Sequence, residues 1–102
     1  MSHDTQSGRD EVLQLLRDRS GDWRSFGVRH LRLFGSFARD EARPESDVDL
    51  LVDFAGAATF DGYFDLLFYL EELLGRRVDL VTPDSLRQRL QPYVEQEAIL
   101  VA

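Results

Sequence analysis

A chain of 102 residues with 43% hydrophobic content can build one small core, and it leaves no room for a second, substrate-binding domain. The formal net charge of −7 excludes the basic footprint that a long DNA or RNA partner demands. With no cysteine there is neither a disulfide framework nor a thiolate metal site. No apolar run approaches the length of a membrane span, and the polar start Met1 to Gly8 lacks the apolar stretch of a signal peptide, so a cytoplasmic protein is expected. All 12 basic residues are arginines, so any anion must be met by arginine, backbone N–H groups or metal.

In chain order, residues 1–7 read as a loose polar tail and residues 8–102 as a single domain. Ser7 with Asp10 resembles a capping box for a helix running to about Arg19, with Val12, Leu13, Leu15 and Leu16 as its buried stripe. An irregular Gly-Asp stretch around 20–27 follows, in which Trp23 is expected as a partly buried anchor. A strand is predicted at about 29–34, then a short helix at 36–42, a loop holding Arg43-Pro44-Glu45-Ser46, and a second strand at about 47–54. A helix from about Phe60 to Leu74 ends at Gly75 in a C-cap position, and a third strand covers about 77–82. Pro83-Asp84-Ser85 is expected to open a further helix that Pro92 interrupts, with a last turn or two to about Ala98 and a short strand at Ile99 to Val101. Strands separated by helices predict an α/β (α+β) domain, a small mixed sheet with helices packed on it, without repeats or low-complexity segments.

The helix at 60–74 has more apolar surface than one core face uses. Phe60, Tyr63, Phe64, Leu67, Leu70 and Leu74 form one stripe, yet Leu66, Phe68, Tyr69 and Leu73 are apolar too. Either it is buried on most sides or its second face meets another protein.

The chemistry concentrates between residues 35 and 50. Alternation along 47–54 puts Asp47, Asp49, Leu51 and Asp53 on one side of a strand and Val48, Leu50, Val52 and Phe54 on the other, core-facing side. Carboxylates at i and i+2 on one face sit about 6–7 Å apart at the backbone and repel when ionised. A hard cation such as Mg²⁺ relieves that repulsion while keeping positions open for substrate phosphates. Just upstream, Gly35-Ser36 ends an apolar strand-like stretch, and glycine there would let backbone N–H groups approach an anion closely. Ser36 could cap the following helix or contact a phosphate. His30 and His3 have no second histidine or cysteine nearby to make a zinc site, and Arg76-Arg77 and Arg87-x-Arg89 read as solvated element ends.

Gly35-Ser36, Arg39 and Ser46-Asp47-x-Asp49-Leu50 together resemble the signature of the DNA polymerase beta-type nucleotidyltransferases, in their smallest branch, the minimal nucleotidyltransferases. The resemblance implies that family's fold and a metal-dependent transfer of a nucleoside monophosphate from a triphosphate, usually ATP, with release of pyrophosphate. It places Gly35, Ser36, Arg39 and Ser46 at the nucleotide and makes Asp47 and Asp49 ligands of a two-Mg²⁺ site. It also implies a third carboxylate on a later strand, a role for which Asp79, central in Arg77-Val78-Asp79-Leu80-Val81-Thr82, is favoured over Asp53. The family similarity further suggests an antitoxin that transfers AMP to a hydroxyl, expected on tyrosine, of a small helical HEPN-type toxin, while the apolar faces of helix 60–74 are where homo- or hetero-oligomer contacts are expected. The alternative is a non-catalytic antitoxin that masks its partner, while nucleotidylation of an antibiotic is disfavoured by the absence of a second pocket-forming domain.

Overall fold

The computed structural model describes residues 8–56, 59–84 and 97–102. The first helix, α1 (Arg9–Asp18), starts one residue later than the sequence suggests: its N-cap is Gly8, whose N–H donates to the Glu11 carboxylate at 3.3 Å. Val12, Leu13 and Leu16 are its buried residues, while Leu15 is only half-buried. The stretch expected to be irregular contains a short helix, α2 (Ser20–Arg24). Trp23 explains it, because its ring is fully buried rather than partly so, and its indole N–H donates to the Leu16 carbonyl at 2.7 Å. A large side chain that finds both a core and a partner for its one polar atom outweighs the poor helix propensity of Ser20 and Gly21.

Among the described residues four strands form one sheet, β1 (Val28–Phe34), β2 (Val48–Phe54), β3 (Val78–Val81) and β4 (Ile99–Leu100), in the order β3-β2-β1-β4. β1 runs antiparallel to β2 and β4, and β2 runs parallel to β3. The parallel pair is joined by α4 (Phe60–Leu74), the crossover such a pair requires. Thr59 caps α4 by accepting the Gly62 N–H at 3.0 Å, and Gly75 ends it at φ 64°, a left-handed cap as the sequence indicates. The single-turn helix α3 (Gly35–Ala38) is shorter than the expected 36–42, since Asp40 adopts a positive φ of 59° that a right-handed helix does not accept. The predicted helix beyond Ser85 and its interruption at Pro92 lie outside the described residues.

One face of the sheet carries the main core: Leu31, Leu33, Val48, Leu50, Val52, Val78 and Leu80 pack with α1, Trp23, and Leu66 and Leu70 of α4. The alternation read in β2 is therefore right for that face. Its opposite parity is not simply wet, because Leu51 joins Phe34 and Val81 in a second, smaller buried cluster against Ala98. Arg17 fastens the two-residue β4 region to α1, donating to the carbonyls of Val101 and Leu100 at 2.9 and 3.0 Å. Among the described residues no helix is long and apolar enough to cross a membrane.

Candidate active site

Register decides which carboxylates meet. Asp49 stands opposite Phe34 in the antiparallel β1–β2 ladder and opposite Asp79 in the parallel β2–β3 ladder. Directly paired residues in neighbouring strands lie about 4.8 Å apart and share a face, so the Asp49 and Asp79 side chains rise together on the side of the smaller cluster. Both are partly buried. Asp53 is four residues further along β2, about 13 Å at strand rise, and it faces His30 and lies 3.9 Å from an Arg29 Nη. The register partner of Asp49 is thus Asp79, not Asp53.

Gly35 completes this corner in a way the sequence does not reveal. It holds a left-handed φ of 75°, and a Cβ built on it would lie 2.0 Å from Oδ2 of Asp49 and 2.9 Å from its Cγ. The missing side chain is the space the Asp49 carboxylate occupies. Any β-carbon at residue 35 would compete with that carboxylate for one position.

The remaining predicted residues surround the pair at different distances. Asp47 is exposed in the extended stretch just before β2. Among the described residues no three Asp, Glu, His or Cys side chains gather closely enough to hold a metal as they stand; of the expected triad, Asp49 and Asp79 form a register pair and Asp47 lies two residues before Asp49. All of the triad's donors are carboxylate oxygens, the set a hard divalent cation such as Mg²⁺ takes. Ser36 lies in α3 and is half-buried. Ser46 shapes the loop into β2: its Oγ accepts the Arg43 N–H at 2.8 Å and its own N–H donates to the Arg43 carbonyl at 2.9 Å. The Arg39 guanidinium is held by Glu41 at 3.1 Å and Glu97 at 3.0 Å. The hydrogen bond to Glu41 and the charge of Glu97 raise its pKa above the ordinary arginine value.

Two surface clefts lie elsewhere. One of about 470 Å³ is lined by Asp53, Phe54, Gly56, Thr82, Pro83 and Asp84 with Val52, at the ends of β2 and β3 remote from Asp47. The other, about 300 Å³, lies between α1 and Leu74. Neither contains Asp49 or Asp79.

Sequence reasoning missed Arg76. It is not a merely solvated helix end: its Nη1 donates to the Pro44 carbonyl at 2.8 Å, and the guanidinium lies 5.1 Å from the centroid of the Phe37 ring. No local pattern marks it, because its partners are more than thirty residues away in sequence.

Comparison with known proteins identifies relatives of the whole fold. The pattern of the nucleotidyltransferase domain family matches residues 10–101. The protein adenylyltransferase MntA of Thermococcus cleftensis is 46% identical over 76 residues, which cover 74% of this chain and 77% of that protein. A solved structure assigned as a minimal nucleotidyltransferase superposes with a TM-score of 0.69 at 44% identity, covering 85% of this chain and 93% of the other. A toxin-antitoxin complex with AMP-PNP contains a chain that superposes with a TM-score of 0.65, over 92% of this chain and 72% of that one, and at 24% identity that likeness establishes the fold alone. With its fold and these relatives in agreement, the chain belongs to the nucleotidyltransferase domain family, among relatives of the protein adenylyltransferase MntA.

Proposed function

We propose that this nucleotidyltransferase uses ATP to place AMP on a hydroxyl of a helical partner of the HEPN toxin type, as the antitoxin of a toxin-antitoxin pair in the cytoplasm. The observation that carries the catalytic half is the pairing of Asp49 with Asp79 beside Gly35. In this reading the acceptor oxygen attacks the α-phosphorus, the bond from that phosphorus to the β-phosphate bridging oxygen breaks, and pyrophosphate leaves. Asp79 accepts the proton of the acceptor hydroxyl. Asp47, exposed and free to change rotamer on a fast timescale, turns inward to complete the carboxylate set with Asp49. Two Mg²⁺ ions held by Asp47, Asp49 and Asp79 would supply charge neutralisation on the triphosphate and activation of the acceptor oxygen. Gly35 and Ser36 contact the phosphates through backbone N–H groups and the Ser36 hydroxyl, with Ser46 beside them. Arg39 reaches the triphosphate by exchanging Glu41 or Glu97 for phosphate oxygens. Support comes from the adenylyltransferase relative and from the likeness to the chain of a complex described as a tri-AMPylated Shewanella oneidensis HEPN toxin with its MNT antitoxin, at 22% identity and a TM-score of 0.63.

The partner surface is α4. Phe60 and Phe68 are 78% and 61% exposed, and with Phe64 between them they stack as a ladder with ring centroids 4.8 and 6.2 Å apart. The helical turn of about 100° per residue brings Asp61, Asp65 and Glu72 along one border of that stripe, and α4 has no basic residue. An apolar stripe with an acidic border fits an amphipathic partner helix whose own border is basic, and disfavours a second copy of this acidic chain. Phe60, read on the first apolar stripe of α4, is exposed, and the core takes the face centred on Leu66 and Leu70.

The exposed ladder also favours a second reading, a masking antitoxin that needs α4 and no transfer. Mass spectrometry of the co-expressed pair after incubation with ATP and Mg²⁺ separates them. Transfer predicts one or more AMP adducts on a partner tyrosine, abolished by Asp49→Ala. A tight complex without adducts, together with full protection of cells by Asp49→Ala, would leave masking as the function.

A further inference from the structure

The segment that carries Asp47 has no regular structure of its own, since residues 41–47 lie in turn and coil. Beyond the Arg43–Ser46 hydrogen bonds within it, contacts from outside fix where Asp47 stands relative to Asp49 and Asp79, and Arg76 is placed to make them. It occupies the short link between the Gly75 cap of α4 and β3. Its Nη1 donates to the Pro44 carbonyl at 2.8 Å and lies 3.4 Å from the Ser46 carbonyl, the peptide oxygen directly before Asp47. The same guanidinium lies 5.1 Å from the centroid of Phe37, which is fully buried and follows Gly35-Ser36 in α3. One residue on, the Arg77 carbonyl accepts the Val48 N–H at 2.9 Å, so the links before Asp79 grip the loop on both sides of Asp47.

We infer that Arg76 is a positioning residue that fixes the Asp47 loop against α3 and the start of β3, and so sets the carboxylate geometry on which transfer depends. The inference rests on the nucleotidyl-transfer reading above, and concerns a residue that touches none of the reacting groups. Arginine suits the task because a planar guanidinium offers several donors in a fixed fork while its face lies on an aromatic ring. A lysine ammonium keeps the charge but is a point donor on a flexible stem and cannot reproduce both contacts. Held contacts of this kind matter because a displacement of about 1 Å at a reacting centre costs on the order of 10²-fold in rate.

The experiment compares Arg76→Gln and Arg76→Lys in the full chain with its partner. Amide hydrogen exchange is read first, with no substrate present. Exchange at Ser46 and Val48, whose N–H groups are bonded to Arg43 and Arg77, should accelerate at least tenfold in Arg76→Gln, while Leu33 and Leu50 keep their protection. In the transfer assay kcat should fall by about 10- to 100-fold with KM for ATP within about twofold, and Arg76→Lys should fall between Arg76→Gln and the parent. Unchanged exchange at Ser46 and Val48 would overturn the inference, whatever the activity. A rise in KM for ATP alone would overturn it in favour of direct phosphate binding by Arg76. Uniform loss of protection in both variants would overturn it in favour of a purely structural role. If the parent chain transferred no AMP, the functional reading would fail while the exchange data still decided whether Arg76 orders the loop.

Discussion

Gly35→Ala adds one carbon at the point where the fold has no space for it. The new Cβ would lie 2.0 Å from Oδ2 of Asp49, and ordinary contact begins at about 3.4 Å, so the carboxylate must retreat by about 1.4 Å. A residue with a side chain must also hold the left-handed φ of 75°, at about 1–2 kcal/mol. At about 4–8 °C per kcal/mol for a domain near this size, the melting temperature should fall by roughly 4–16 °C, leaving a folded chain. The larger effect is on chemistry, since a retreat beyond 1 Å predicts a loss of about 10²-fold or more in AMP transfer. Gly75→Ala is the matched control: it carries a similar φ of 64°, but nothing lies within 4 Å of the added carbon. It should lose stability of the same order and keep its activity per folded molecule. Calorimetric melting and single-turnover transfer from labelled ATP measure both quantities. If folded Gly35→Ala transferred AMP at the parent rate, or if Gly75→Ala lost activity equally, the contact with Asp49 would not be what residue 35 provides.

Asp79→Ala should abolish transfer while Asp53→Ala, which only loosens a 3.9 Å pairing with Arg29, keeps most of it; the opposite ranking in the same assay would reassign the third acid. Phe68→Asp, at a position 61% exposed, should leave the melting temperature within a few degrees yet weaken partner binding at least tenfold by titration calorimetry, and unchanged affinity would move the docking surface off α4. Desolvation and the hydrogen bond to Asp22 raise the Tyr69 pKa above its ordinary value of 10.0. The folded state then retains that proton longer than the unfolded chain, so this contribution is complete below pH 10 and is lost as pH rises through the raised value. Denaturant titrations from pH 9 upward should show a shallower alkaline decline in Tyr69→Phe, and identical slopes would refute the assignment.

Where sequence and structure agree closely, one local rule suffices. The bounds of α4 at Phe60 and Leu74 follow from helical spacing and an explicit glycine stop, and Val48, Leu50 and Val52 of β2 trace the main buried face, although Leu51 on the other face is buried too. The helix start slipped by one residue because Gly8 serves as N-cap with only its backbone N–H, bonded to Glu11, a half of the capping box that a search for a Ser or Thr cap overlooks. The helix of Ser20–Arg24 was invisible because its cause is the burial of Trp23, a tertiary event. The same limit applies at the site. A motif can indicate that Gly35 and Asp49 belong together, but not that the carboxylate fills the glycine's empty side, nor that Arg76 reaches back to Pro44 and Ser46. Periodicity also cannot distinguish an aromatic residue covered by its own chain from one such as Phe60 that the fold leaves exposed.

The placement of both acids on β2 and β3 has a consequence for errors in folding. Asp49 alternates with Val48 and Leu50, and Asp79 with Val78 and Leu80, all four of these apolar neighbours being buried in the main core. A strand shifted by one residue exchanges its two faces, so a slip that removed a carboxylate from its working position would drive it into the hydrocarbon interior. Burial of an unpaired charge there costs several kcal/mol, a large share of the stability of a domain this small. On the proposed reading, a chain that misaligned the acids would lack the stability to persist folded on a partner without acting on it. The core would thus proofread the register of Asp49 against Asp79, because the hydrophobic face that aligns the strands is the same one a slip would fill with charge.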